Sequence, residues 1–222
     1  METIPFEKIP PSDTIMIFFR KTAFSLIELL VVMALIGILV SLAVPAFVSI
    51  AQGSGMKKGI NEIADALELA RTEAMAKSTW VLVGLADTTA DNPDHTPRHS
   101  LILAATRDGT TNFATTNLMF LSKTAHIKDI KILSSPTPWA GTNAVVLKDS
   151  TFSFTTPIAG KSTVFTNTVL AFSPQGEALI NPASISPWIE IPIREVRGST
   201  EIESKTASIR VSGLSGQVIV SY

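Results

Sequence analysis

Few residues in this chain stand in patterns that could do chemistry. Asp87, Asp91, Asp94, His95 and His99 fall close together, and carboxylates with imidazoles are the groups a divalent metal takes. Their spacing is irregular and no element is evident to fix them, so the stretch predicts a solvated loop. His126 stands alone and predicts a surface residue. Ala159-Gly160-Lys161-Ser162-Thr163 has the tail of a phosphate-binding loop, but the position that loop needs as its first glycine is Thr155. Ser215, in Gly-Leu-Ser-Gly, lacks the nucleophile-elbow pattern and reads as a turn. The sequence has no cysteine, which excludes thiol chemistry and cysteine-held zinc. No paired carboxylates and no base beside a nucleophile emerge. The chain is therefore expected not to be an enzyme, with no catalytic residue, no metal site and no cofactor.

One further charged residue is out of place. Glu28 lies in a run, residues 24–51, that is otherwise apolar apart from Ser25, Gly37, Ser41, Pro45 and Ser49. A lone carboxylate at membrane depth costs about 2.5–3.5 kcal/mol on insertion scales, so it calls for a partner or a function. No Lys, Arg or His lies in the run. A cut before Phe24 would create an α-amine four positions upstream. That amine could reach Glu28 of its own helix, or Glu28 of a neighbour in a bundle of parallel helices.

The elements around this charge divide the sequence into four stretches. Residues 1–23 are short, mixed and proline-containing. Residues 24–51 exceed the ~20 residues a membrane-spanning helix needs. Arg20 and Lys21 precede them, which keeps the N-terminus cytoplasmic and sends the rest of the chain outside. A secretory signal peptide cut near Ala43 or Ala46 is the competing reading of the run. Residues 52–79 continue as an amphipathic helix, with Met56, Ile60, Ile63, Leu67, Ala70 and Ala74 on one stripe. Glu73 and Lys77 make an i,i+4 pair. A bend is expected at Pro45.

Residues 80–222 read as a β-rich exported domain. Trp80–Leu85 and Leu101–Ala105 are strand-length apolar runs around a polar loop, and Asp108-Gly109 reads as a hairpin turn. Lys128–Leu133, Ala144–Leu147 and Val164–Phe172 are further strands, followed by Trp188–Arg194, Ala207–Ser212 and Gln217–Tyr222. Gly213 to Gly216 make the last turn. The expected fold is α+β, with the helix stripe packed on an antiparallel sheet or sandwich. Trp80, Trp139 and Trp188 read as core or sheet-surface aromatics. A formal net charge of −1 argues against a nucleic-acid backbone as partner.

The stretch Arg20-Lys-Thr-Ala23-Phe24-Ser-Leu-Ile-Glu28-Leu-Leu-Val-Val-Met-Ala-Leu-Ile-Gly-Ile-Leu resembles the N-terminus of type IV prepilins and type II secretion pseudopilins. The resemblance implies that a prepilin peptidase cuts between Ala23 and Phe24 and methylates the Phe24 amine. It implies that Glu28 guides assembly, that Pro45 is the helix-kinking proline, and that 1–23 is a leader. The family's residue before the cut is nearly always glycine; here it is Ala23. Met16 would begin a shorter basic leader of the usual kind. Leu69-Ala-Arg-Thr-Glu-Ala-Met-Ala-Lys77, Phe172-Ser-Pro-Gln-Gly176 and Ile209-Arg-Val-Ser-Gly-Leu-Ser-Gly216 resemble the GspH/FimT group of minor pseudopilins. Verru_Chthon cassette protein D looks similar too.

What the resemblance implies is a structural minor pilin or pseudopilin of a type II secretion or type IV pilus-like filament. Its partners would be other pilins, prepilin peptidase, the inner-membrane assembly platform and the lipid itself. It would sit in a bacterial inner membrane with its C-terminal domain periplasmic, and then in a filament. Two alternatives stand beside it. A DNA-uptake minor pilin of the FimT kind needs a basic C-terminal face, whereas Lys205 and Arg210 are the only cations after Arg197. A simple membrane-anchored binding domain needs a pocket.

Overall fold

The computed structural model describes residues 25–91, 97–137, 144–158 and 161–222; the side chains of 42–54, 91, 157, 158 and 161 lie outside the description. Ala23, Phe24, Met16, His95, Asp94 and Trp139 fall outside these residues. So does the side chain of Pro45, and with it the expected bend.

Among the described residues there is one α-helix, α1, Leu26–Lys77. Among the described residues thirteen strands follow it: β1 Val81–Asp87, β2 Arg98–Thr106, β3 Leu118–Phe120, β4 Ala125–Lys128, β5 Ile130–Ile132, β6 Ala144–Val146, β7 Ser153–Ile158, β8 Lys161–Thr166, β9 Val169–Phe172, β10 Ala178–Leu179, β11 Trp188–Arg197, β12 Thr200–Ser212 and β13 Val218–Ser221. The chain divides into two compact units, residues 1–47 and 48–222.

In the second unit the strands form three sheets. The first runs β10-β9-β1-β2-β3, with β4 also on β2; the second runs β13-β12-β11-β5, with β6 on β11; β7 and β8 pair as a hairpin. All pairings are antiparallel except β6 with β11, which is parallel. The architecture is α+β, with the helix packed on antiparallel sheets. The parallel pair corrects the purely antiparallel expectation. It needs a long connection between neighbours, and no local sequence signal marks one.

The helix stripe is the centre of the main core. Ile60, Ile63, Leu67, Ala70 and Ala74 are fully buried against alternate residues of both sheets, among them Val83 and Leu85 of β1, Phe172 of β9, Ile191 of β11 and Ile209 of β12. The 3.6-residue stripe thus meets period-2 sheet faces, which is how two such layers hide their apolar sides. A second core lies on the other face of the first sheet. Leu82, Ile102, Ala104 and Ala171 pack there against Phe152, Phe154 and Phe165. β1 is therefore buried on both faces from Val81 to Ala86, which is why its sequence reads as an unbroken apolar run.

Gly84 of β1 is where the aromatic layer comes closest. A Cβ there would stand 2.6 Å from Phe165 Cδ1 and 2.7 Å from Phe154 Cζ. Those two rings stack at 4.9 Å between centroids, 7° from parallel.

Several boundaries differ from the sequence expectation. Lys128–Leu133 is two strands parted by Asp129 at φ 62°, and Val164–Phe172 is two strands parted by Asn167 at φ 59°. In each case a polar residue that tolerates the left-handed region breaks the run. Asp108-Gly109 is not a tight hairpin turn; it begins the longer connection from Thr106 to Leu118. The polar loop before β2 is shorter than expected, because β1 runs to Asp87 and β2 starts at Arg98.

Candidate functional site: the start of the long helix

Ser25 and Glu28 define how α1 begins. The Glu28 amide donates to Ser25 Oγ at 3.2 Å, and the Leu29 amide donates to the Ser25 carbonyl at 3.2 Å. Ser25 is thus the N-cap and Glu28 the third helical residue, the spacing of a capping box. The carboxylate also lies in the first turn, where the helix dipole favours negative charge. The sequence signal Ser-x-x-Glu was present and could have located this cap, but it lay hidden inside the apolar run.

Glu28 therefore has a local role independent of any partner. Its side chain makes no ion pair among the described residues. Around it the helix is apolar on every side. Each large hydrophobic from Leu26 to Val40 is exposed, between 42% and 82% of its surface. Twelve such residues follow one another with few interruptions, so they cover the whole circumference rather than one stripe. A helix of that kind needs an apolar medium or other helices around it. No helix among the described residues is long and apolar enough to cross a membrane. Described side chains of the run end at Ser41.

The other sequence-singled residues are dispersed or differently placed. His99 is not in a solvated loop: it is on β2, opposite Asp87 of β1, and 4% exposed. The reason is the longer strands, which carry both residues into the sheet. Among the described residues no group of three or more His, Asp or Glu could hold a metal ion. His126 is exposed on β4, within 3.2 Å of the Ser100 hydroxyl. Lys161, Ser162 and Thr163 lie in strand β8, not at the start of a helix. Ser215 is in the turn before β13, its amide donating to Ser212 Oγ. Trp80 packs edge-on to Phe113, and Arg210 sits over the Trp188 ring. The Glu73–Lys77 ion pair is formed.

The stretches Leu69–Lys77, Phe172–Gly176 and Ile209–Gly216 meet at one place. A Cβ on Gly216 would lie 2.2 Å from the Gly176 carbonyl and 2.8 Å from Arg71 Cδ, while one on Gly176 would lie 2.8 Å from Met75 Sδ. The Ala178 amide donates to the Gly213 carbonyl. The end of α1, the turn after β9 and the turn after β12 are thus stacked on one another, and the residue types are fixed by closeness.

Residues 19–44 match the family model described as the prokaryotic N-terminal methylation motif. No curated protein and no solved structure matches the chain. The motif supports a pilin-like subunit of the type IV pilin and pseudopilin kind. That class is processed by prepilin peptidase, assembles with other pilins and is anchored in a membrane. The matched residues include Ser25 and Glu28, which the structure places at the helix start.

Proposed function

We propose that the chain is a structural minor pilin or pseudopilin of the GspH/FimT kind, and not an enzyme. Prepilin peptidase cuts between Ala23 and Phe24 and methylates the new Phe24 amine. Before assembly the helix is stored in a bacterial inner membrane, N-terminus cytoplasmic and the β-rich residues 80–222 periplasmic. On assembly by a type II secretion or type IV pilus-like platform, it moves into a bundle of parallel helices. There the Phe24 amine of one subunit meets Glu28 of a neighbour.

The observation that carries this reading is the matched motif lying on a helix apolar on all sides, with one charge at its capped start. An unpaired carboxylate is expensive in lipid. An amine from a neighbouring helix removes that cost and fixes the register between subunits. The energy of extraction comes from the platform. Pro45 would bend the helix where it leaves the bundle.

The test is assembly. In cells carrying the peptidase and partner pilins, the wild-type chain should be recovered in sheared filaments. Glu28→Val should be cleaved and stably expressed yet absent from them. Normal assembly of Glu28→Val would sink the pairing mechanism.

A further inference from the structure

From Lys57 onward α1 has two faces. One is the buried stripe already described. On the other, Lys57, Lys58, Asn61, Asp65, Glu68 and Thr72 are all exposed. Leu69 is 50% exposed on the same side, although it is large and apolar, and Ala76 is exposed beyond it. The charges are segregated along this face: the two lysines come first, and the acids follow about two turns later. None of Lys57, Lys58, Asp65 and Glu68 makes an ion pair among the described residues. Within one copy the order is unfavourable. Glu62, Asp65 and Glu68 follow at steps of three, and like charges one turn apart on a helix repel.

A second copy of the same helix supplies the missing charges, provided it is displaced. Two parallel copies in register would set lysine against lysine and acid against acid. A displacement of seven residues, about 10 Å along the axis, returns each position to nearly the same side of the helix, because seven residues make nearly two turns. It sets Lys58 level with Asp65, Asn61 with Glu68 and Leu69 with Ala76. These are an opposite-charge pair, a donor for a carboxylate, and an apolar contact. Antiparallel helices would also bring lysines to acids, but copies anchored in one membrane run parallel. That step rests on the pilin reading above.

We propose that a second copy of this chain docks along this face, parallel and displaced by one heptad, with Lys58 of one copy against Asp65 of the next and Asn61 against Glu68. Each copy offers its lysines to one neighbour and its acids to another. A contact displaced along the axis does not close on itself, and its repetition builds an open row rather than a dimer.

The test uses the full chain, which has no cysteine of its own, in cells carrying the prepilin peptidase and partner pilins. Two copies with different tags are expressed together, one Lys58→Cys and the other Asp65→Cys, and sheared filaments are probed for disulfide-linked dimers carrying both tags. A disulfide needs Cα atoms within roughly 7 Å, so it reads the displacement. This pair should cross-link, and so should Leu69→Cys with Ala76→Cys, which antiparallel helices would hold apart. Lys58→Cys in both copies should not. Lys58→Glu should lower recovery in filaments several-fold, since like charges then meet, and Lys58→Glu with Asp65→Lys should restore it. Filaments that contain the chain but lack either cross-link, that link it only to other pilins, or that link Lys58→Cys to itself would overturn the docking and leave the pilin reading standing. So would a double reversal that restores nothing. A wild-type chain neither cleaved nor recovered in filaments would remove both.

Discussion

The close approach at Gly84 gives a quantitative test of the packing. Gly84→Ala places a methyl 2.6 Å from Phe165 and 2.7 Å from Phe154, about 1 Å inside the optimal carbon–carbon separation. Both rings are buried and stacked, so neither can swing into solvent. Overpacking of this kind costs typically about 1–3 kcal/mol. Alanine recovers roughly 0.5–1 kcal/mol of that, because glycine loses more backbone freedom on folding. Taken at the middle of both ranges the net loss is about 1 kcal/mol, which for a domain this size lowers the thermal midpoint by roughly 2–4 °C. Near-ultraviolet circular dichroism through a thermal ramp would read it. The same substitution in a Phe154→Leu background should cost measurably less, since one of the two obstructing rings is gone. A midpoint unchanged or raised in Gly84→Ala, or an equal loss in both backgrounds, would refute the claim that these rings lie on the glycine.

Three other outcomes follow from the same geometry. Ser25→Ala removes the acceptor of the Glu28 amide and should cost about 1 kcal/mol of helix-start stability, read as faster hydrogen exchange at Glu28 and Leu29. Gly216→Ala meets the Gly176 carbonyl at 2.2 Å with φ +65°; backbone cannot yield as a ring can, so its denaturant midpoint should fall further than that of Gly84→Ala. Glu195, 2% exposed, bonds Arg197 at 2.8 Å and Lys205 at 3.1 Å. Burial opposes its charge, but these bonds and charges hold its pKa below the ordinary 4.5. A carboxyl depressed on folding stabilises above its unfolded pKa, and that stability is lost as pH falls through the folded value. Glu195→Gln should therefore lower stability at neutral pH and show a shallower acid loss in thermal midpoints taken from neutral pH downward.

What the sequence disclosed depended on how many faces each segment buries. The stripe from Met56 to Ala74 was legible because one face of a helix meets the core, and all six of its residues are buried. β1 and β2 were legible because burial on both faces leaves them continuously apolar. The first half of β12, Thr200 to Lys205, was not: its residues are largely exposed and charged, so no apolar pattern marks it. β7 escaped as well, being rich in Thr and Ser around Phe154 with Pro157 near its end. Asp129 and Asn167 broke apparent single strands by their backbone angles, which polarity alone does not announce. His99 was placed in a loop because the residues around it are polar, although pairing with β1 buries it. In the N-terminal segment the motif itself was legible, and the Ser25–Glu28 cap within it needed the helix start to be located.

The measurement that bears most directly on the central claim is the mass of the mature N-terminus. The full chain would be expressed with and without a prepilin peptidase, and its first residue determined by mass spectrometry. The account predicts a peptidase-dependent new end at Phe24, with or without a methyl group on its amine. A chain left uncut, or cut near Ala43 or Ala46 regardless of the peptidase, would contradict it and leave Glu28 as a first-turn carboxylate of the helix with no role between subunits.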